Sequence, residues 1–184
     1  MDVQEQELNA QDIWELFRET NRMFQETDRK LIKLSENLEN TRKEVGRVTD
    51  SLGRFAESMV SPAVVRLFAK RDIVLEGTTQ RARRRRNGRG MEFDVLAVNR
   101  VSVVAVEVKT TLRADDVAEF VKKLEDFKTF FPEYRDYEVL GAVAGMSLQE
   151  GVDKYAERQG LYVLAQSGDA VQMLNDEDFE ARVW

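Results

Sequence analysis

MEFDVLAVN (residues 91–99) and VSVVAVEVKTT (residues 101–111) are two apolar, β-branched runs that predict neighbouring strands, and each carries charge in its middle. The charged residues are Asp94 in the first run and Glu107 with Lys109 in the second. An ionised group inside a buried strand is costly unless it is paired or binds a metal. Because side chains alternate along a strand, Glu107 and Lys109 are expected on one face, and a short turn can bring Asp94 beside Glu107. The two runs therefore predict a divalent-metal site with a lysine next to it.

Composition narrows the chemistry that such a site can perform. The chain has 184 residues, of which 42% are hydrophobic, enough for one globular domain with an appendage. It contains no cysteine and no histidine. Disulfides, thiolate or imidazole zinc sites and catalysis by cysteine or histidine are thereby excluded. Carboxylates and lysine remain as the acids, bases and metal ligands.

The distribution of polar and apolar residues along the chain indicates its cellular location. No run approaches the roughly 20 apolar residues that cross a bilayer, and the first twelve residues are polar and acidic, unlike a secretory signal. We therefore expect a cytoplasmic protein with no membrane association. The net charge of −6 means that any contact with nucleic acid must be local.

The segment RARRRRNGRG (residues 81–90) is the strongest candidate for such a contact. It holds six arginines and no acidic residue, which suits binding to phosphates, although a charge run is also typical of a solvated loop. The candidate nucleic-acid-binding residues are Arg81, Arg83, Arg84, Arg85, Arg86 and Arg89.

The N-terminal region follows a heptad pattern that predicts a coiled coil over residues 1–52. Thirteen positions, which we call the seam, are spaced alternately by four and three residues, and ten of them are apolar. The seam consists of Ile13, Phe17, Thr20, Phe24, Thr27, Leu31, Leu34, Leu38, Thr41, Val45, Val48, Leu52 and Phe55. So narrow a stripe needs a partner helix, most simply that of a second copy, and we favour a homodimer. The alternative is a long amphipathic helix that packs on its own domain.

Residues 53–184 alternate helical and strand patterns in the order helix, three strands, helix, strand, helix and a final pair of strands. In this interpretation the arginine-rich segment connects two strands that lie within residues 72–99. The order predicts an α/β domain in which helices cover a mixed central β-sheet.

The charged residues favour one kind of chemistry. Two carboxylates on neighbouring strands can hold Mg²⁺ or Mn²⁺ and leave coordination positions open for water and phosphate. Lys109 on the same face is then placed to orient water and to neutralise charge that develops on a phosphate.

Asp94, followed by Glu107-Val108-Lys109 and preceded by an acidic residue in the helical segment FAES (residues 55–58), resembles the PD-(D/E)XK nuclease superfamily. The similarity covers roughly residues 55–174, and the whole arrangement is similar to uncharacterised prokaryotic members with an N-terminal coiled coil. It implies a restriction-endonuclease-like fold and Mg²⁺-dependent hydrolysis of DNA phosphodiester bonds. By this resemblance Asp94 is the motif's aspartate, Glu107 its second acid, Lys109 its lysine and Glu57 the acid of the first core helix, while Phe93 replaces the motif's proline.

Several alternatives stay open at this point. Asp94, Glu107 and Lys109 can form a structural salt-bridge cluster, and a helical residue such as Glu57 is often simply solvated. Glu92 shares a face with Asp94 and is either an extra ligand or the exposed start of its strand. The chain can also be a non-catalytic DNA-binding or assembly module that retains the nuclease fold, and no residue distinguishes DNA from RNA as the nucleic acid.

Overall fold

The structure is a computed structural model that describes residues 10–184, so the first nine residues of the predicted coiled coil lie outside the described part. The chain divides into two compact units, one ending at Thr49 and the other spanning Asp50–Trp184. Helix α1, Ala10–Ala69, contributes to both. Within the described residues, no helix has a stretch long and apolar enough to cross a membrane.

The first unit, from residue 10 onward, is helical throughout and exposes its seam. The seam threonines Thr20, Thr27 and Thr41 each donate a hydrogen bond of 2.8 Å to the carbonyl oxygen four residues earlier, which satisfies their hydroxyl groups within the helix. The predicted long N-terminal helix is confirmed, whereas its pairing with another helix and the predicted division at residues 52 and 53 stay predictions.

The second unit contains a six-stranded mixed sheet whose strands lie side by side in chain order. The first three strands form an antiparallel meander, the third to fifth strands are parallel, and the last two form an antiparallel hairpin. The α/β class and the order of the main elements are confirmed. The elements are β1 Gly77–Arg86, β2 Arg89–Val98, β3 Ser102–Leu112, α2 Ala114–Glu125, α3 Phe127–Phe130, a 3-10 turn Pro132–Tyr134, β4 Glu138–Leu148, α4 Val152–Arg158, β5 Tyr162–Ser167 and β6 Ala170–Met173.

Both faces of the sheet are covered, which is why β3 reads as an almost continuous apolar run. One face packs under α2, where Phe120 and Leu124 lie in the same cluster as Val103 of β3. The opposite face packs under the last turns of α1, whose Val64 lies in the same cluster as Val104. The charged end of β3 is thereby held between two apolar layers.

Gly141 of β4 lets α2 lie close to the sheet. A Cβ atom at this position would come within 2.5 Å of side-chain carbons of Leu124 and of Leu161. The absence of a side chain therefore fixes the distance between α2 and β3, the two elements that meet at the charged cluster.

A short turn tied down by Asn99 joins β2 to β3. The Oδ1 atom of Asn99 accepts hydrogen bonds from the N–H groups of Val101 and Ser102, at 2.9 Å and 2.7 Å. This side-chain turn sets the register in which Val98 pairs with Val103 and Val95 pairs with Val106.

The arginine-rich segment does not connect two strands, as the sequence suggested, because most of it forms β1 itself. The chain turns at Asn87 and Gly88, which both have positive φ, and Arg86 then pairs with Arg89. An edge strand needs backbone partners on one side only and no burial, and Ala82 is its one buried residue. The usual alternation of apolar and polar residues is therefore absent from this strand.

Candidate active site

Asp94 and Glu107 are the residues immediately beyond the last paired position of β2 and β3, which is Val95 opposite Val106. Where the backbone pairing stops, the Oδ2 atom of Asp94 accepts a hydrogen bond of 2.7 Å from the N–H group of Val108. The short turn and the antiparallel register thus bring together the acidic residues that the sequence singled out on the two strands.

Glu107 is the centre of a small ion-pair network. Glu107 is 6% exposed, and its two carboxylate oxygens contact two lysines. Lys109 Nζ lies 2.9 Å from Oε1, and Lys123 Nζ donates a hydrogen bond of 2.7 Å to Oε2. A buried carboxylate with a cation on each oxygen is well compensated for its loss of water.

Lys123 had no assigned role in the sequence analysis, because lysines on an amphipathic helix normally face water. It lies beside Leu124 on α2 and is only partly exposed. The apolar spacing of Val117, Phe120 and Leu124 indicated which face of α2 is buried, and hence that Lys123 borders it. No pattern within α2 indicated that Lys123 faces Glu107 of β3.

The ionisation of Asp94 is disfavoured by its surroundings. Burial, followed by the nearby charge of Glu107, raises the pKa of Asp94 to about 6, although the hydrogen bond from Val108 opposes the shift. The charge of Glu57 adds to the increase and that of Lys123 reduces it. Negative charge is therefore crowded around Asp94.

Lys109 keeps its proton at neutral pH. Burial by itself lowers the pKa of Lys109, but the hydrogen bond and charge of Glu107 outweigh burial and leave the pKa above its ordinary value. Lys109 is therefore a permanent hydrogen-bond donor at the edge of the cluster.

Glu57 of α1 is held in a separate ion pair with Arg81 of β1. The guanidinium group donates two hydrogen bonds, of 2.8 Å and 2.9 Å, to the two oxygens of the Glu57 carboxylate. Glu57 is 9% exposed, so this paired geometry compensates a buried charge. Arg81 has a φ of 51°, a conformation that interrupts its strand pairing between Gln80 and Ala82. The solvated alternative for Glu57 is therefore wrong.

The remaining arginines are exposed and most contact acceptors on the protein surface. Arg83 pairs with Glu92, Arg84 with Glu133 and Arg89 with Asp126, while Arg86 donates to the carbonyl oxygen of Thr129. Arg85 forms no ion pair with any of residues 10–184. Exposed pairs of this kind are weak, so these side chains can exchange their partners for phosphates.

The cluster can be tested for its fit to a metal ion. Asp94 and Glu107 offer the hard carboxylate oxygens that Mg²⁺ and Mn²⁺ prefer, and a bound cation would offset the burial and the nearby Glu107 charge that raise the pKa of Asp94. Among residues 10–184 no group of three acidic side chains is spaced to hold a metal, so Glu57 does not join the other two acids in this geometry. Two carboxylates with open positions for water and phosphate are nevertheless a usual Mg²⁺ donor set.

Comparison with known proteins gives distant similarities only. No protein-family model matches the chain, and no curated protein matches it. A solved protein of unknown function is 18% identical over 55% of this chain and 54% of its own, with a TM-score of 0.40.

Two other solved structures are similar over comparable lengths. A repair endonuclease from Pyrococcus abyssi is 23% identical over 52% of this chain and 40% of its own, with a TM-score of 0.35. The EndoMS protein in a complex with double-stranded DNA is 20% identical over 58% of this chain and 44% of its own, with a TM-score of 0.36. The chain thus spans about half or less of the proteins that it resembles. The function of the chain is therefore inferred from its own carboxylate–lysine cluster and α/β fold.

Proposed function

We propose that this chain is a divalent-metal-dependent nuclease that hydrolyses DNA phosphodiester bonds and acts as an oligomer formed through its N-terminal helix. The observation that carries the proposal is the position of Asp94 beside Glu107, Lys109 and Lys123. A structural salt bridge requires one acid and its cation, and Glu107 already has two cations. Asp94 adds a second carboxyl whose pKa is raised and which forms no ion pair with residues 10–184, and the hydrogen bond from Val108 requires an acceptor oxygen but not an acid.

The proposed chemistry gives each residue of the cluster a role. Asp94 and Glu107 are proposed to hold Mg²⁺ or Mn²⁺, which when bound supplies a Lewis acid that lowers the pKa of water and withdraws charge from a phosphate. Lys109, which stays protonated, donates hydrogen bonds to phosphate oxygens as negative charge develops on them. In the metal-free chain the pair with Glu107 raises the pKa of Lys109, which favours a role in charge stabilisation over one as a general base.

Glu57 and the arginines of β1 and β2 have supporting roles in this proposal. Glu57 contributes negative charge near Asp94 and anchors Arg81, and a ligand role requires that it leave this ion pair. The exposed arginines, Arg85 above all, are proposed to bind the phosphate backbone of the substrate. Such contacts add affinity without reading the base sequence.

The proposal is tested with supercoiled DNA, branched DNA and single-stranded RNA in Mg²⁺, in Mn²⁺ and in chelator. We expect metal-dependent cleavage of DNA, and a loss of at least about 100-fold in rate for Asp94→Ala and for Lys109→Ala. Glu92→Ala is the matched control, because Glu92 is a half-buried acid on the same strand whose carboxylate pairs with Arg83. Equal rates for the wild type and both cluster variants would contradict the proposal. Cleavage of RNA alone would show that the substrate is RNA and not DNA.

One observation favours a second candidate, a non-catalytic DNA-binding or assembly module. The carboxylates of Glu57 and Glu107 are both already neutralised by cations of the protein, as in a purely structural network. Calorimetry separates the two candidates. The module is supported if no Mg²⁺ or Mn²⁺ binds while DNA binding still weakens with salt.

A further inference from the structure

The seam of the first unit is exposed along the whole described length of the unit. Its apolar residues from Ile13 to Val48 are between 53% and 71% exposed in the single chain. Scattered apolar residues on a surface need no explanation, but a continuous stripe with heptad spacing needs a cover. The charges that flank the stripe identify this cover and its direction.

We infer that the N-terminal helices of two copies pair antiparallel, with the two-fold axis beside residue 36. The inference rests on the proposed pairing through these helices and specifies its geometry. In this register each seam residue from Phe17 to Phe55 faces a different seam residue of the partner. The facing pairs, each formed twice, are Leu34 with Leu38, Leu31 with Thr41, Thr27 with Val45, Phe24 with Val48, Thr20 with Leu52 and Phe17 with Phe55.

The seam packs better in this direction than in a parallel pair. A parallel, in-register dimer places each residue opposite itself, so Thr20, Thr27 and Thr41 form three polar layers and Phe24 meets Phe24. In the antiparallel register every one of these threonines faces a leucine or a valine, and Phe24 faces the smaller Val48. Between Thr20 and Leu52 no aromatic residue then faces another and no polar residue faces another, which favours tight packing, while Phe17 faces Phe55 at each end.

The charges beside the seam agree with the same register. Asp28 and Arg42 follow seam residues on one side of the stripe, and Lys30 and Glu44 precede seam residues on the other side. In an antiparallel coiled coil, the flanking residues on one side of the stripe face the equivalent flanking residues of the other helix. Asp28 therefore faces Arg42 of the partner subunit, and Lys30 faces Glu44 of the partner subunit. Symmetry doubles these contacts and gives four ion pairs between the helices.

The alternative arrangements lose these ion pairs. In a parallel pair Asp28 faces Met23 and Lys30 faces Ser35, so no ion pair forms. Sliding the antiparallel helices by one heptad in either direction also removes all four ion pairs. Within the single chain, Asp28, Lys30 and Arg42 form no ion pair with any of residues 10–184, so these charges are available to a partner. Glu44 pairs with Arg47 three residues later, an exposed and therefore weak pair that Lys30 of the partner subunit can replace.

The antiparallel direction determines where the two copies of the second unit begin. Asp50, its first residue, lies 14 residues from the two-fold axis, so the two Asp50 residues are about 42 Å apart along the coil. In a parallel pair they lie at the same height, separated only by the width of the coil.

Distance measurements between spin labels test the direction. The chain has no cysteine, so Asp50→Cys and Glu36→Cys each give a single label on the full-length protein. We expect a distance above 40 Å for Asp50→Cys and a distance set only by the width of the coil for Glu36→Cys, because residue 36 lies at the height of the axis on the outer face of the helix. A dimer with short distances for both labels is parallel and overturns the inference alone. A monomer by analytical ultracentrifugation overturns both the inference and the proposed pairing, while leaving nuclease activity to its own assay.

A charge swap tests the register independently. Asp28→Arg places an arginine opposite Arg42 in both of the symmetry-related contacts. We expect the dimer dissociation constant to rise about tenfold. The double variant Asp28→Arg with Arg42→Asp restores opposite charges and should return the dissociation constant to the wild-type value. Glu36→Arg is the control, because it makes the same change in charge on the outer face of the helix. Equal dissociation constants for Asp28→Arg and Glu36→Arg would contradict the register.

Discussion

Asp94 is the residue whose ionisation the fold opposes most clearly. Its pKa is raised from 3.8 to about 6, mainly by burial and then by Glu107. An unfolded chain loses this proton near pH 4, whereas the folded chain retains it until about pH 6, so stability falls as pH rises through this interval. Above pH 6 the loss of folding stability no longer changes with pH. The pKa shift corresponds to a loss of at most about 3 kcal/mol.

We therefore expect Asp94→Asn to be more stable than the wild type at pH 8 in chelator, with the advantage disappearing at pH 4. The Asn amide cannot ionise, yet its oxygen can still accept the hydrogen bond from Val108. Urea unfolding at a series of pH values measures the difference, with Asp136→Asn, an exposed turn residue, as the control. A stability difference that does not change with pH would show that the raised pKa is not its cause.

Lys123 connects two elements, since it extends from α2 to Glu107 of β3. Any cation that binds Glu107 competes with this lysine for the same oxygen. We expect Lys123→Gln to bind Mn²⁺ several-fold more tightly than the wild type, and to be less stable in chelator because Glu107 loses one of its two cations. Calorimetric titration and thermal unfolding measure the two effects. Weaker Mn²⁺ binding would instead indicate that Lys123 helps to assemble the site.

The matched control for that variant is Lys122→Gln, which removes the same charge from an exposed position one residue earlier on α2. A change in Mn²⁺ affinity of equal size in both variants would point to the general field of the helix and not to the contact with Glu107.

The arginines of β1 divide into two kinds, and two variants separate them. Arg85→Gln removes an exposed side chain without an ion pair in the described part of the chain, so we expect weaker DNA binding, a salt slope reduced by about 0.9, and unchanged thermal unfolding. Arg81→Gln leaves the buried carboxylate of Glu57 without its partner, so we expect a clearly lower unfolding midpoint. The opposite pattern would mean that Arg81 binds the nucleic acid and Arg85 supports the fold.

At the scale of the whole molecule, the features that local patterns determine could be predicted. Strand alternation and a short turn were enough to place Asp94 near Glu107, because both are properties of the backbone. The long N-terminal helix and the order of the main elements follow in the same way from hydrophobic spacing.

The features that were missed depend on contacts between distant parts of the chain. The pairing of Lys123 with Glu107 depends on how α2 is rotated on the sheet, and the pairing of Glu57 with Arg81 depends on an unusual backbone conformation at Arg81. The sequence of the arginine-rich β1 is typical of a connection, because an edge strand lacks the apolar alternation by which strands are identified.

The turn held by Asn99 has a consequence for how the length of this protein can vary. A shift of one residue in the pairing of β2 with β3 would place the carboxyls of Asp94 and Glu107 on opposite faces of the sheet, and a change of length at the Asn99 turn, which sets this pairing, favours such a shift. The turn between β5 and β6, at Gly168 and Asp169, lies outside this segment and is free of that restriction. Tags, reporter loops and natural length differences are therefore better tolerated there than at Asn99.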